Sequence, residues 1–464
     1  LLRYDEVDEI RALALLLEGL ETRLLELGHR AGDAVSAVAI LADVDAGGRR
    51  LLGHRGLSKV SPRDAKRAER RRQDFRPWRS VMRRRVAART PRAAAASRAF
   101  REGGPWDSVP AASSPEAARM KAFHDPATAA HDPRFFLVRG RPAANEERPR
   151  RAELLLEGLA RLGVAPETPG DAGRGPIAAV HSLDYLAFLE TVWPAWAQLP
   201  NAGPEVVANV HPHRGWGKYP DSLVGRAGWH MADTAAPIGE GTWRAAYAAA
   251  QCAVAAADAV AGGADLAYAL CRPPGHHAYA DLAGGHCFLN NAAIAAERLR
   301  AGGRRVAVLD VDVHHGNGTQ GIFYGRGDVL TVSVHADPHG FYPFYCGHAD
   351  ERGEGAGAGF NLNLPLALGL GDADWLAAIE TAMARVAAFA PDAIVLALGL
   401  DAHEADPLRG LSVTTEGFRR AGRLLAELPA PVAITQEGGY LSDALADNLE
   451  AALGGLIAAR QGFS

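Results

Sequence analysis

The sequence predicts an α/β protein, with a central parallel sheet, helices on both of its faces and long loops gathered at one edge. Three observations predict it. Strand-like and helix-like segments alternate with little interruption from residue 242 onward, an order that favours parallel pairing through crossover helices. Segments such as AIVLAL at 393–398 are apolar throughout, which suits strands covered on both sides. Acids, histidines and glycines follow directly after several of these strands, where open α/β sheets bind their ligands.

In chain order, residues 1–119 stand apart. Apolar residues recur at helical spacing over 8–27, and arginine and alanine dominate from Arg63 to Arg101. A basic run interleaved with Phe75 and Trp78 could bind nucleic acid, but its high charge and low apolar content do not support a core. The stretch 1–119 therefore reads as an N-terminal extension, helical then arginine-rich, either disordered or misassigned, and a nucleic-acid partner is not expected. Met120 directly precedes the first strand-like segment, so the folded domain is expected over 120–464.

That domain opens with a strand over 121–124, a helix over 148–162, and a short element plus helix over 178–192. A connection rich in glycine, proline, histidine and aromatic residues fills 199–241, and irregular loops of that length are usually functional or disordered. Helices are then expected over 242–260, 290–299, 372–389, 416–427 and 444–459. Strands are expected over 266–271, from Val306, and over 329–334, 393–398 and 431–435.

Composition narrows the setting. The chain has 464 residues, 48% of them hydrophobic, enough for a substantial core. Its four cysteines show no C-x-x-C spacing, no apolar run is long enough to cross a bilayer, and the N-terminus lacks a signal pattern. A soluble cytoplasmic protein without a membrane partner is expected. The net charge of −4 says little about partners, because basic residues concentrate in one segment.

The chemistry gathers around VAVLDVDVHHGNGTQ at 306–320. If this stretch stays extended, Asp310, Asp312 and His314 share one face, and carboxylates beside an imidazole suit a divalent metal such as zinc. Asp401, after the strand at 393–398, would complete a set of two carboxylates and one imidazole with a position open for water or substrate. The RPPGHH run places His276 and His277 on a proline-stiffened loop, where imidazoles titrating near neutrality suit proton transfer. In QEGGY the glycines permit a sharp turn that can aim the Tyr440 hydroxyl at a developing oxyanion. Residues 284–291 and 341–345 offer small and aromatic side chains for a narrow channel.

From Met120 onward the chain resembles the histone deacetylase and acetylpolyamine amidohydrolase superfamily, through RPPGHHA, GGHCFLNN, LDVDVHHGNGTQ, SVHADP, GLDAHEADP and QEGGY in family order. The segment GRAGWHMADTAAPIGEGTW looks like the bacterial acetylpolyamine branch. The resemblance implies an arginase-deacetylase fold, with a deacetylase catalytic domain over 120–464. It implies zinc held by Asp312, His314 and Asp401, with ferrous iron compatible with the same set. It assigns the general base to His277, its electrostatic or proton-donating neighbour to His276, and the acid that orients His276 to Asp310. It also assigns the support of the second histidine to Asn317, where some members carry Asp, and the oxyanion donor to Tyr440. A structural potassium site is implied at Asp310, Asp312, His314, Ser333 and Val334, and a substrate channel at Gly285, His286, Tyr342 and Leu408.

Two positions depart from the family pattern. His286 replaces an aromatic channel wall, and Leu408 replaces the gatekeeper glutamate of a polyamine-selective branch, leaving Asp221 or Asp233 to meet a cationic substrate. The expected activity is removal of acetyl groups from small acetylated amines such as acetylpolyamines. A protein or histone acetyl-lysine deacetylase of the same mechanism is the alternative, and a homodimer is left open. An arginase-like dimetal enzyme would need bridging carboxylates that the sequence does not offer.

Overall fold

The computed structural model describes residues 120–213 and 217–462, so the expectations for residues 1–119 lie outside the described residues. After a strand β1 (Lys121–Phe123) the chain makes a hairpin of β2 (Phe135–Val138) and β3 (Arg141–Ala144). Helices α1 (Arg150–Arg161), α2 (Gly175–Ala178), α3 (Leu183–Trp196), α4 (Leu223–His230) and α5 (Thr242–Ala261) lead to β4 (Leu266–Ala269). The chain continues through α6 (Asn291–Arg300), β5 (Val306–Asp310), α7 (Asn317–Phe323), β6 (Val329–Ala336) and β7 (Asn361–Leu366). It then runs through α8 (Asp372–Phe389), β8 (Ala393–Leu398), α9 (Thr415–Leu425), β9 (Val432–Gln436) and α10 (Leu445–Gly462).

Seven strands form one sheet in the order β1-β4-β9-β8-β5-β6-β7, and every pairing is parallel. The strand sequences show why both faces are covered. Val306, Val308, Val395, Ala397 and Ala433 join a core with α3, α5 and α6, whereas Ala307, Leu309, Ile394, Leu396 and Ile434 join a second core with α1, α8, α9 and α10. Alternate residues of one continuous apolar strand thus feed opposite layers. The alanine-rich faces of α5 and α6 are almost entirely buried, and small side chains let these helices lie close to the sheet and to each other. Among the described residues no helix is long and apolar enough to cross a membrane.

Two expectations need correction, and some elements were not expected. The strand from Val306 ends at Asp310, and residues 311–316 bend away rather than continuing extended. The bend is built from side chains that replace the ladder, with Asp310 Oδ1 accepting from Asp312 N at 3.1 Å and Asp312 Oδ1 from His314 N at 2.8 Å. The connection over 199–241 contains α4, which starts where Ser222 caps Gly225 N. The hairpin β2–β3 and the edge strand β7 were not expected.

Candidate active site

All the chemistry-bearing turns sit at the carboxyl ends of neighbouring strands. In register, Asp310 at the end of β5 lies opposite Ser333 of β6 and Ala397 of β8. Asp401 follows β8 by three residues, Tyr440 follows β9 by four, and the His276–His277 loop follows β4. Parallel pairing with β5, β8 and β9 side by side is what brings these turns together.

At the centre, Asp312, His314 and Asp401 are buried, and one ligand atom from each lies within 4.8 Å of the others. His314 Nδ1 is 3.2 Å from Asp312 Oδ1 and 3.1 Å from Asp401 Oδ2. The remaining carboxylate oxygens are held by backbone, Val313 N donating to Asp401 Oδ1 at 3.1 Å and Gly438 N to Asp312 Oδ2 at 2.7 Å. At Gly438 a Cβ would strike both carboxylates, so the turn must carry glycine there. Burial pulls the His314 imidazole down, yet Asp312 and Asp401 overcome it and raise the ring to about 9. The same field draws a cation, and two carboxylates with one imidazole are a donor set that fits a divalent metal.

Beside this triangle the two loop histidines have unlike surroundings. His276 Nδ1 bonds Asp310 Oδ2 at 2.9 Å, and its Nε2 is 3.8 Å from Asp312 Oδ1. Burial lowers its pKa, but the charges of Asp310 and Asp312 prevail and raise it to about 10. His277 is pushed well below the ordinary imidazole value by burial and then by the neighbouring charges of His276 and His314. Its Nδ1 lies 2.6 Å from Asn317 Oδ1, a contact that suits a proton on Nδ1 and an open Nε2. Adjacent imidazoles in such unlike surroundings, one beside carboxylates and one beside an amide, can hold and accept protons separately.

Tyr440 is 3% exposed, its backbone N–H donates to Asp406 Oδ2 at 2.7 Å, and the Arg151 guanidinium lies 4.7 Å from its ring centre. Burial pushes its hydroxyl well above the ordinary phenol value, so it remains a donor. The positions expected to line a channel meet the site's rings at several points. The Tyr342 ring meets His277 edge-on at 4.9 Å, the His286 ring is 5.6 Å from that of Tyr440, and the Phe341 ring stacks on His314 at 4.9 Å. A Cβ on Gly285 would run into the His277 ring, and the residue sits at φ 54°, so glycine is required there too. Leu408 lies beside the Tyr440 turn, its N–H donating to Asp406 Oδ1 at 2.8 Å. Asp233 accepts from Tyr342 Oη at 2.6 Å and from Gly285 N at 3.1 Å, which puts a carboxylate between these two residues; Asp221 is exposed.

Sequence reasoning missed several supporting residues. Glu437 is fully buried and accepts from Gly275 N at 2.7 Å and His276 N at 3.0 Å, fixing the histidine loop. Asn290 Nδ2 donates to Ala278 O at 2.9 Å on the other side of that loop. Arg151, fully buried, pairs with Glu147 and donates to Gly439 O and Glu437 O, each at 2.6 Å. Glu437 and Asn290 carried a signal, being polar residues within motif runs, whereas Arg151 lies in a charged helix that reads as a solvated face.

Comparison with known proteins agrees with this geometry. The family model described as the histone deacetylase domain matches residues 145–456. An acetylpolyamine amidohydrolase of Burkholderia pseudomallei is 48% identical over 74% of this chain and 100% of its own length. Acetylpolyamine amidohydrolase 1 of Pseudomonas aeruginosa is 45% identical over 67% of this chain and 91% of its own. The crystal structure of the acetylpolyamine aminohydrolase from Burkholderia pseudomallei superposes with a TM-score of 0.72 at 47% identity, covering 74% of this chain and 99% of that one. The HD domain of HDA15 superposes with a TM-score of 0.59 at 28% identity, covering 73% of this chain and 90% of that one.

Proposed function

Because the chain belongs to the histone deacetylase family, has the arginase-deacetylase fold and is a deacetylase hydrolase, we propose that it removes acetyl groups from small acetylated amines such as acetylpolyamines. The observation that carries this reading is the buried triangle of Asp312, His314 and Asp401 with the His276–His277 pair beside it, one ring bonded to Asp310 and the other to Asn317.

Asp312, His314 and Asp401 would hold the catalytic ion, zinc or ferrous iron, as their donor set fits either. When bound, that ion supplies Lewis-acid polarisation of the acetyl carbonyl and a more acidic water. His277 takes the proton of the attacking water on Nε2, with its Nδ1–H anchored on Asn317. His276, paired with Asp310, carries positive charge beside the reaction and supplies a proton to the departing amine. Tyr440 donates its hydroxyl to the oxygen that becomes negative. Gly285, His286 and Tyr342 line the approach, and Asp233 meets the positive charge of the amine in place of the acid absent at Leu408. The register of Asp310 against Ser333 supports a structural potassium site built from the backbone of Asp310, Asp312, His314, Ser333 and Val334. Four free thiols suit a reducing cytoplasm, and a homodimer that narrows the channel mouth would favour small substrates.

Protein stripped of metal and reconstituted with zinc, or anaerobically with ferrous iron, should hydrolyse N-acetylputrescine faster than an acetyl-lysine peptide. The opposite ranking would favour the second reading, a protein deacetylase, whose support is the apolar Leu408. Metal-loaded protein that cleaves neither would overturn the assignment. Light scattering tests the dimer.

A further inference from the structure

We infer that Tyr279 is a positioning residue for the base, its hydroxyl holding the Asn317 amide in the orientation that keeps His277 Nε2 free to accept a proton. The inference rests on the reading of His277 as that base. A carboxylate at position 317 would offer His277 an acceptor from either oxygen, but a carboxamide has one accepting end and one donating end. Turned around, the Asn317 amide would donate to His277 Nδ1 and drive the ring proton to Nε2, the nitrogen that must be empty.

The surroundings of Asn317 decide between the two. His277 Nδ1 lies 2.6 Å from one end of the amide, and Tyr279 Oη lies 3.3 Å from the other. A hydroxyl donating to a carbonyl oxygen sits closer, at about 2.7–2.8 Å, so the longer contact fits an amide N–H donating to Oη. Tyr279 Oη has a second neighbour, Cys346 Sγ at 3.7 Å, toward which its own hydrogen can turn. The hydrogens then run in one direction, from His277 Nδ1 to Asn317 Oδ1, from Asn317 Nδ2 to Tyr279 Oη, and from Oη to sulfur. Asn317 is buried at the start of α7, and the half-buried Tyr279 ring packs where a Cβ on Gly321 would stand, which holds the hydroxyl near the amide.

The test measures kcat and KM for N-acetylputrescine in zinc-loaded protein, with zinc content and melting temperature recorded for each variant. Tyr279→Phe should lower kcat about tenfold, part of the 10²–10⁴ that a general base contributes, with KM within about twofold. Placing Tyr279→Phe in an Asn317→Asp background should cost less than about threefold, because a carboxylate has no wrong end. An unchanged kcat in Tyr279→Phe, or an equal fall in both backgrounds, would overturn the inference while leaving the base assignment intact. Loss of that assignment has its own signature, undiminished turnover in His277→Ala. Should Tyr279→Phe fail to fold, ¹⁵N shifts of the His277 ring in the parent protein decide, a proton on Nδ1 supporting the inference and one on Nε2 overturning it.

Discussion

Tyr440 reaches the site from a turn whose 439–440 peptide is held on both sides, the Tyr440 N–H donating to Asp406 and the Gly439 carbonyl accepting from Arg151. Nothing but the hydroxyl distinguishes it from phenylalanine, and packing beside Arg151 and His286 would survive the exchange. Tyr440→Phe should therefore keep its fold and KM while kcat falls by about 10²–10³, the usual cost of losing one oxyanion donor, as steady-state kinetics would show. Single residues were also where the sequence was most readable. Asp312, His314, Asp401, His276 and His277 are polar types directly after apolar strands, and burial of such groups demands a reason. Arg151 and Tyr279 were invisible for the converse reason: an arginine in a charged helix and a tyrosine in a loop have ordinary exposed explanations, and only their contacts across hundreds or tens of residues give them roles.

At the scale of elements, the site depends on how strands stop. The turn after β9 brings Gly438 N against Asp312, and the bend after β5 turns Asp312 and His314 toward Asp401. Gly438→Ala would push a methyl group between the two carboxylates. The folded protein should then bind zinc at least tenfold more weakly, measured by competition with a chromogenic chelator; unchanged affinity would show that the carboxylates are not jointly engaged. Apolar strands and long amphipathic helices were legible, and their boundaries shifted by only a few residues. The hairpin β2–β3 was not, because its turn at Arg139–Gly140 joins segments too short and too exposed to show a pattern. The edge strand β7, NLNLPL, carries a proline and only half-buried leucines, as edge strands tolerate. Gly225 and Gly228 within α4 masked a helix that its serine cap and packing sustain.

Residues 120–213 and 217–462 pack as two apolar layers on one sheet, and polar groups trapped between their parts tie stability to pH. His181 joins the α2–α3 connection to the start of α6, its Nδ1 3.3 Å from Ala280 O and its Nε2 accepting from Asn290 N at 2.9 Å, which requires a neutral ring. Burial lowers its pKa from 6.5 to about 4. Between those values the unfolded chain binds a proton that the folded one refuses, so this histidine costs stability as pH falls. His181→Gln, although less stable at pH 7, should lose less on acidification, the gap to the parent narrowing by about 1.4 kcal/mol per pH unit. Urea titrations of metal-free protein at several pH values measure it, and a constant gap would refute the neutral ring. The strand order carries a consequence for synthesis. β9 is the last strand made yet lies between β4 and β8, in the middle of the sheet. Until Val432 and the residues after it have been made, β4 and β8 lack the strand that joins them, and neither Gly438 nor Tyr440 is in place. Completion of the site must therefore wait until residues 432–440 have been made, and a chain cut short before Val432 would be an inert polypeptide rather than a weakened enzyme.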